Sequence, residues 1–394
     1  MRPIATPLLI IFILLALVTY PALSFQGAQN GVKLWLNVVF PALLPFFIAS
    51  ELLMNSGLVH FFSILLEPLM RPLFRLPGSA SLVLCAGYTS GYPIAAVMIA
   101  RLRRDGLCTP GEAARLLSFS SNASPLFMLT AVAVGMLGNQ QLGLYIAASH
   151  YLANLTIGLL LRFFYAPPRT GFASPFHTGV LLQRAWREYL LIQSRDNRPV
   201  GKILADAVRQ SVNNLLAIGG YVVFFAVLIN LFKELQIIHH TAALLAQTLT
   251  PLGLPAEITP ALAAGLWEMT VGCQQATMAP AELLAKLQAI SIILAWSGIS
   301  VLTQTAAMLA GSGVSLRLFL LMRPVHAALA CLYITIFYKH FSPVQPAVVL
   351  NTPAFDLSTP TLAWLYCLKM ILLLPGGIII MTAITSIIKR LVFK

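Results

Sequence analysis

Glu268 is a carboxylate standing inside an apolar run, 258–279, with Trp267 before it and Thr270, Gln274 and Gln275 after it. In such surroundings a carboxylate can hold a proton or a cation, or accept a hydrogen bond from a bound polar molecule. A second apolar run, 79–104, is broken at Gly87-Tyr88-Thr89-Ser90-Gly91-Tyr92-Pro93. Its hydroxyls donate and accept, and its glycines let the backbone approach a ligand closely. Two more runs are interrupted in the same way. The first, 112–137, carries Ser120-Ser121-Asn122-Ala123-Ser124-Pro125, whose proline frees a backbone carbonyl. The other, 283–309, carries Trp296-Ser297-Gly298-Ile299-Ser300 and Gln304. Ser, Thr and Gly also pack helices in any bundle. What singles these clusters out is that each coincides with a break in an apolar run.

The residues expected to contact a small polar solute are Tyr88, Thr89, Ser90, Gly91, Tyr92 and Pro93 on one side, with Ser121, Asn122 and Ser124 beside them. The opposed set is Trp267, Glu268, Thr270 and Gln274, with Ser297, Ser300 and Gln304. An indole near amides would suit a flat polar ring, by stacking plus edge hydrogen bonds. His150 and Asn154 lie one turn apart, a spacing that suits an interhelical hydrogen bond. No catalytic residue is expected. The chain has no Walker loop, Gly-x-Ser-x-Gly or His-Glu-x-x-His. His239-His240 lacks the carboxylate or thiol company of a metal site. The cysteines Cys85, Cys108, Cys273, Cys331 and Cys367 form no Cys-x-x-Cys pair. Neither an enzymatic step, a metal nor a cofactor is implied.

The elements that must hold these residues follow from composition. Of 394 residues, 58% are hydrophobic and 9% charged, against roughly 25% charged in soluble domains. Mean hydropathy is +0.84. This excludes a soluble globule and a disordered chain, and makes an all-α polytopic membrane protein the expected class. The net charge of +13 does not call for nucleic acid, because the basic residues sit in short segments between apolar runs.

Spans are expected at Ile4–Leu23 (retained as a first helix rather than cleaved), 38–56, 112–137, 140–164, 204–232, 283–309, 315–338 and 361–388. Segments 60–76 and 237–254 read as interfacial. The runs 79–104 and 258–279 are the remaining question, since each half is too short to cross. If both turn back as re-entrant hairpins, eight helices cross and both termini are cytoplasmic. All Lys and Arg except Lys33, Lys233, Lys286, Lys339 and the intramembrane Lys369 then share the cytoplasmic side. If both crossed, basic loops would scatter over the two faces. The two hairpins then enter from opposite faces, which makes the halves an inverted repeat. The organisation is a first helix (1–25), repeat one (38–166), a basic cytoplasmic linker (167–203), an inverted repeat two (204–340) and a last helix (361–388).

Several segments resemble one family: Pro45 to Leu53, Leu66 to Phe74, Ser90-Gly91-Tyr92-Pro93, Ser118 to Phe127, and Ser149 to Asn154. Together they are similar to the sporulation integral membrane proteins of the YlbJ type, which carry the gate or "nucleoside recognition" domain. Similar gate domains occur in concentrative nucleoside transporters, ferrous-iron transport proteins and spore maturation proteins. Where the family hairpin continues with Gly and then Lys, this chain has Ala95, Ala96 and Val97. The resemblance implies a multi-pass protein of a bacterial plasma membrane, needed for the spore cortex. The expected activity is secondary transport of a small polar solute, nucleoside-like by analogy of fold alone. The alternative is a non-transporting assembly protein for cortex synthesis. The partners expected are the lipid bilayer, the solute, a coupling ion (proton or sodium) and further copies of the chain as a homo-oligomer, with no nucleic acid.

Overall fold

The computed structural model describes residues 2–56, 58–92, 94–163, 178–195 and 198–341, which are helices joined by short turns and loops, without strands. Helix α1 (Arg2–Thr19) stops one residue short of Pro21, which has no N–H to donate and opens α2 (Pro21–Leu34) at its first position. The single span expected over Ile4–Leu23 is therefore divided at Tyr20. Helix α2 runs through a π-helical turn, Trp35–Val39, into α3 (Phe40–Asn55). The stretch able to cross a membrane here is Pro21–Ala49, starting earlier than the expected 38–56.

Helix α4 (Leu58–Phe74) is followed by two short helices packed on each other, α5 (Ala80–Ser90) and α6 (Ile94–Arg104). Helix α7 (Pro110–Ser120) starts from a reciprocal cap. The Thr109 hydroxyl accepts the Glu112 N–H at 3.3 Å, and the Glu112 carboxylate accepts the Thr109 N–H at 2.8 Å. Residues Ser121 to Ser124 are not helical; the chain re-enters a helix at Pro125 and continues as the π-helical segment Phe127–Met136. Asn139 caps α8 (Gln140–Leu161) by accepting the Gln141 N–H at 3.0 Å.

The expected linker 167–203 contains a helix, α9 (Thr178–Arg195), packed on α4. There Trp186 meets Phe61 edge-on at 6.3 Å, and Gln193 donates to the Ser56 carbonyl at 2.8 Å. The second half comprises α10 (Val200–Glu234), α11 (Ile237–Leu249), α12 (Thr259–Trp267), α13 (Met269–Met278), α14 (Leu283–Trp296), α15 (Gly298–Met308) and α16 (Arg317–Phe341). Its order repeats that of the first: long helix, shorter helix, pair of short helices, divided helix, long helix.

Gly27 and Gly31 are four residues apart on α2, and a Cβ on them would stand 2.9 Å and 2.8 Å from the Cα atoms of Val227 and Val223 on α10. This is the small-x-x-x-small contact by which apolar helices associate when lipid offers no hydrophobic drive. At the centre, α16 packs on α7, α8 and α14. Among the described residues, five helical stretches are long and apolar enough to cross a membrane: 21–49, α8, α10, 283–308 and 317–340. The expected crossing at 361–388 lies outside the described residues.

Candidate functional site

Each half has one tip, where its pair of short helices turns, and one break, where its long helix is divided. In the first half α5 ends at Gly91, whose φ of 77° and ψ of −158° form a backbone region held almost only by glycine. A Cβ on Gly91 would lie 2.6 Å from the Ser124 nitrogen, so this tip rests on the break of its own helix. Ser124 in turn accepts the Phe127 N–H at 3.1 Å and restarts the helix.

The second half repeats the arrangement with different chemistry. Glu268 is extended between α12 and α13, and its carboxylate accepts the Val271 N–H at 2.7 Å, capping α13. The break is made by Ser297 and Gly298, both left-handed at φ 74° and 78°. A Cβ on Gly298 would meet the Met269 nitrogen at 3.0 Å and the Glu268 Cα at 3.1 Å. Again the tip lies on its own break.

The halves meet at these points. Ser90, Tyr92 and Ser124 of the first half and Glu268, Thr270 and Gln304 of the second line one cavity of about 50 Å³, walled by apolar groups such as Phe47, Phe127 and Val301. Glu268 is 3% exposed and, among the described residues, has no cation within ion-pair distance. Tyr92 also crosses between halves, its hydroxyl donating to the Leu294 carbonyl of α14 at 3.3 Å.

Other expected residues lie elsewhere. Thr89 is exposed, its hydroxyl turned back to the Cys85 carbonyl at 2.8 Å. Tyr88 stacks on Tyr151 at 5.0 Å. Ser121, Asn122, Ser297 and Ser300 are buried without lining the cavity. Trp267 packs on Phe232 at 4.7 Å in an apolar cluster, and the Trp296 indole donates to the Leu266 carbonyl at 3.2 Å. The indole platform expected for a flat ring is thus absent from the cavity; its aromatic lining is Phe47, Tyr92, Phe127 and Tyr221. Gln274 and Gln275 line a separate cavity of about 490 Å³ with Lys33, Lys233 and Asn37. Pro93 lies outside the described residues.

Around the first break, polar side chains of neighbouring helices take up the freed backbone. His150 Nε2 accepts the Ala123 N–H at 3.3 Å, and the Tyr151 hydroxyl donates to the Ala123 carbonyl at 3.1 Å. Asn154 donates to the Asn122 side chain. On α16, His326 Nε2 meets the His150 carbonyl at 3.0 Å.

The largest correction concerns Arg323. The sidedness count expected it among the cytoplasmic basic residues. Its side chain is 0% exposed, and the guanidinium donates to the carbonyls of Ser118 (2.9 Å), Ser121 (3.3 Å) and Ala295 (3.2 Å). The available signal was an ionisable residue within an apolar helix.

A family model described as "Gate: Nucleoside recognition" matches residues 36–140, which hold the first tip and the first break. The chain is 36% identical over 333 residues to the sporulation integral membrane protein YlbJ of Bacillus subtilis, covering 84% of this chain and 81% of that protein. The chain belongs to the YlbJ family. It is a gate-domain integral membrane protein related to a sporulation protein. A protein of Alkalihalophilus pseudofirmus described only as uncharacterised is 28% identical over 165 residues, 40% of this chain and 34% of that one. Among solved structures, CNTnw in an inward-facing substrate-bound state aligns with TM-score 0.51 and 12% identity, covering 82% of this chain and 85% of that one. A variant of CNTnw in an outward-facing state gives 0.51 and 11%, covering 82% and 84%. At these identities the likeness is one of fold, that of CNT transporters.

Proposed function

We propose that this member of the YlbJ family is a permease that passes a small polar solute between its two tips and performs no chemical step. In this reading α5–α6 enters the membrane as a re-entrant hairpin from the cytoplasmic face and α12–α13 from the opposite face. Both termini are cytoplasmic, and the membrane is the bacterial plasma membrane. The observation that carries the proposal is that both tips and the first break line one cavity that holds Glu268, with the second break packed directly behind the second tip. Irregular backbone within a membrane needs protein, water or a solute to satisfy it. Inverted repeats place their binding sites where such breaks meet.

A cavity of about 50 Å³ admits a water or an ion, far below the roughly 300–1,000 Å³ of ligand pockets. The conformation is therefore read as occluded, and the tips must part for a solute to enter. Glu268, without a counter-cation among the described residues, is the group suited to carrying a coupling proton. The gate domain and the CNT fold make a nucleoside-sized solute the first to try, and the relationship to YlbJ supports spore formation, with the cortex, as the setting in which to look for the activity.

The test is uptake into liposomes holding the full chain, with labelled uridine, an amino acid and a dicarboxylate as probes, under an imposed pH gradient. At least one probe should accumulate, and Ser90→Ala and Glu268→Gln should each lower its rate about tenfold or more. Failure of all three probes, together with normal sporulation after both tips are altered and loss of sporulation on deleting 178–195, would replace the permease by the assembly reading.

A further inference from the structure

Arg323 carries a full positive charge among apolar helices, and no carboxylate lies within ion-pair distance of it among the described residues. The titratable groups facing it are Tyr88, Tyr92, His150 and His326. None of these supplies a resting negative charge. A buried cation with no compensation is among the costliest arrangements in a protein, and a guanidinium does not escape by losing its proton. Something else must neutralise it.

The three carbonyls it contacts supply the answer. Ser118 and Ser121 belong to the last turn and cap of α7, and Ala295 to the last turn of α14. In continuous helices these oxygens would accept N–H groups four residues on; the breaks leave them free. Each helix C-terminus carries about half a negative charge, so two such ends facing one point sum to about one elementary charge. The guanidinium matches that sum. One end comes from each half of the chain, so the cation also ties the halves together at the level of the breaks.

Freed carbonyls at the C-terminal ends of broken helices are the kind of cage in which membrane transporters hold a sodium ion. We propose that Arg323 is a tethered cation: its guanidinium permanently fills the carbonyl cage formed by the two breaks, so that this cage neither needs nor admits a free sodium ion. Removing the side chain should create a vacant site for a small cation, either an alkali ion or a free guanidinium. The stability consequence stands whether or not the chain transports; the coupling consequence rests on the permease reading.

Thermal unfolding of the purified full chain in detergent tests the cage directly. Arg323→Ala should lower the midpoint by roughly 5–10 °C. Low millimolar methylguanidinium chloride or sodium chloride should recover part of that loss, choline chloride should not, and wild type should respond to none of them. Should the alanine variant not fold, Arg323→Lys and Arg323→Met decide. Charge compensation requires Lys, which keeps the cation, to be the more stable of the two. Met equal to or better than Lys, or an alanine variant that no cation restores, would overturn the proposal. In liposomes, wild-type uptake should survive replacement of sodium by choline, and Arg323→Ala should acquire a sodium requirement. Sodium-dependent wild-type uptake would overturn the coupling consequence. Absence of uptake under all conditions would count against the permease reading, leaving the unfolding data to judge the cage.

Discussion

Replacing Gly91 by alanine tests whether the first tip is seated on the first break. Two costs arise at once. The backbone there, at φ 77° and ψ −158°, is a region that side chains adopt only under strain, worth about 1–3 kcal/mol. The new Cβ would also stand 2.6 Å from the Ser124 nitrogen, 2.8 Å from its Cβ and 2.9 Å from its Cα, distances that force tip and break apart. Overpacking of this kind costs about 1–3 kcal/mol more. Gly311 separates the two terms, because it also has positive φ, 76°, yet a Cβ there meets nothing within 4 Å. Gly311→Ala should therefore show backbone strain alone. Apparent unfolding midpoints of the purified variants, compared at one heating rate, should place Gly91→Ala below Gly311→Ala by roughly 2–10 °C. Gly91→Ala should also slow solute uptake, since Ser124 lines the cavity. Equal midpoints for the two variants would refute the seating of the tip.

Asn154→Leu removes the donor to the Asn122 side chain at the first break and should cost about 1–3 kcal/mol, read as a lower unfolding midpoint. Ser297→Gly should raise the midpoint slightly, because a non-glycine residue at φ 74° carries about 1–2 kcal/mol of strain, partly offset by the added freedom of the unfolded chain. The Cys108 thiol, in the short loop between α6 and α7, is buried, and burial pushes it up to about 11 despite the opposing effect of Arg103 nearby. A raised value keeps it protonated below that pH, so maleimide should leave it unmodified at pH 7 and react only as the solution becomes strongly alkaline. With the other four cysteines replaced by serine, an Arg104→Cys variant should be labelled from the cytoplasmic side. Labelling from outside alone would sink the re-entrant reading of α5–α6.

Much of the site was legible because the breaks are local chemistry. Pro125 has no N–H, Ser121 to Ser124 offer side-chain substitutes for helix bonds, and Gly298 accepts a left-handed turn; each divides an apolar run where it stands. Glu268 was legible for another reason, since a carboxylate inside an apolar run is costly unless it has a task, whereas its capping of α13 emerged only from the structure. Pro21 was equally local, but its weight was lost within a continuous apolar run, and the first span was drawn through it. The directions of Trp267 and Gln274 were not legible. Helices apolar on every face carry little periodicity to separate a core-facing side chain from a lipid-facing one.

By itself the sequence determined the membrane class, through composition, and the places where helices must stop, through residues whose backbone chemistry allows nothing else. It also determined that these stops come in a repeated order. Only the tertiary structure decided which stops face each other and what compensates them. The Arg323 guanidinium joins Ser118 and Ser121 to Ala295 across more than 170 positions of chain, at distances of 2.9–3.3 Å. No local pattern encodes that meeting. It depends on how α7, α14 and α16 cross, and crossing is set by the side-chain packing of all three helices together.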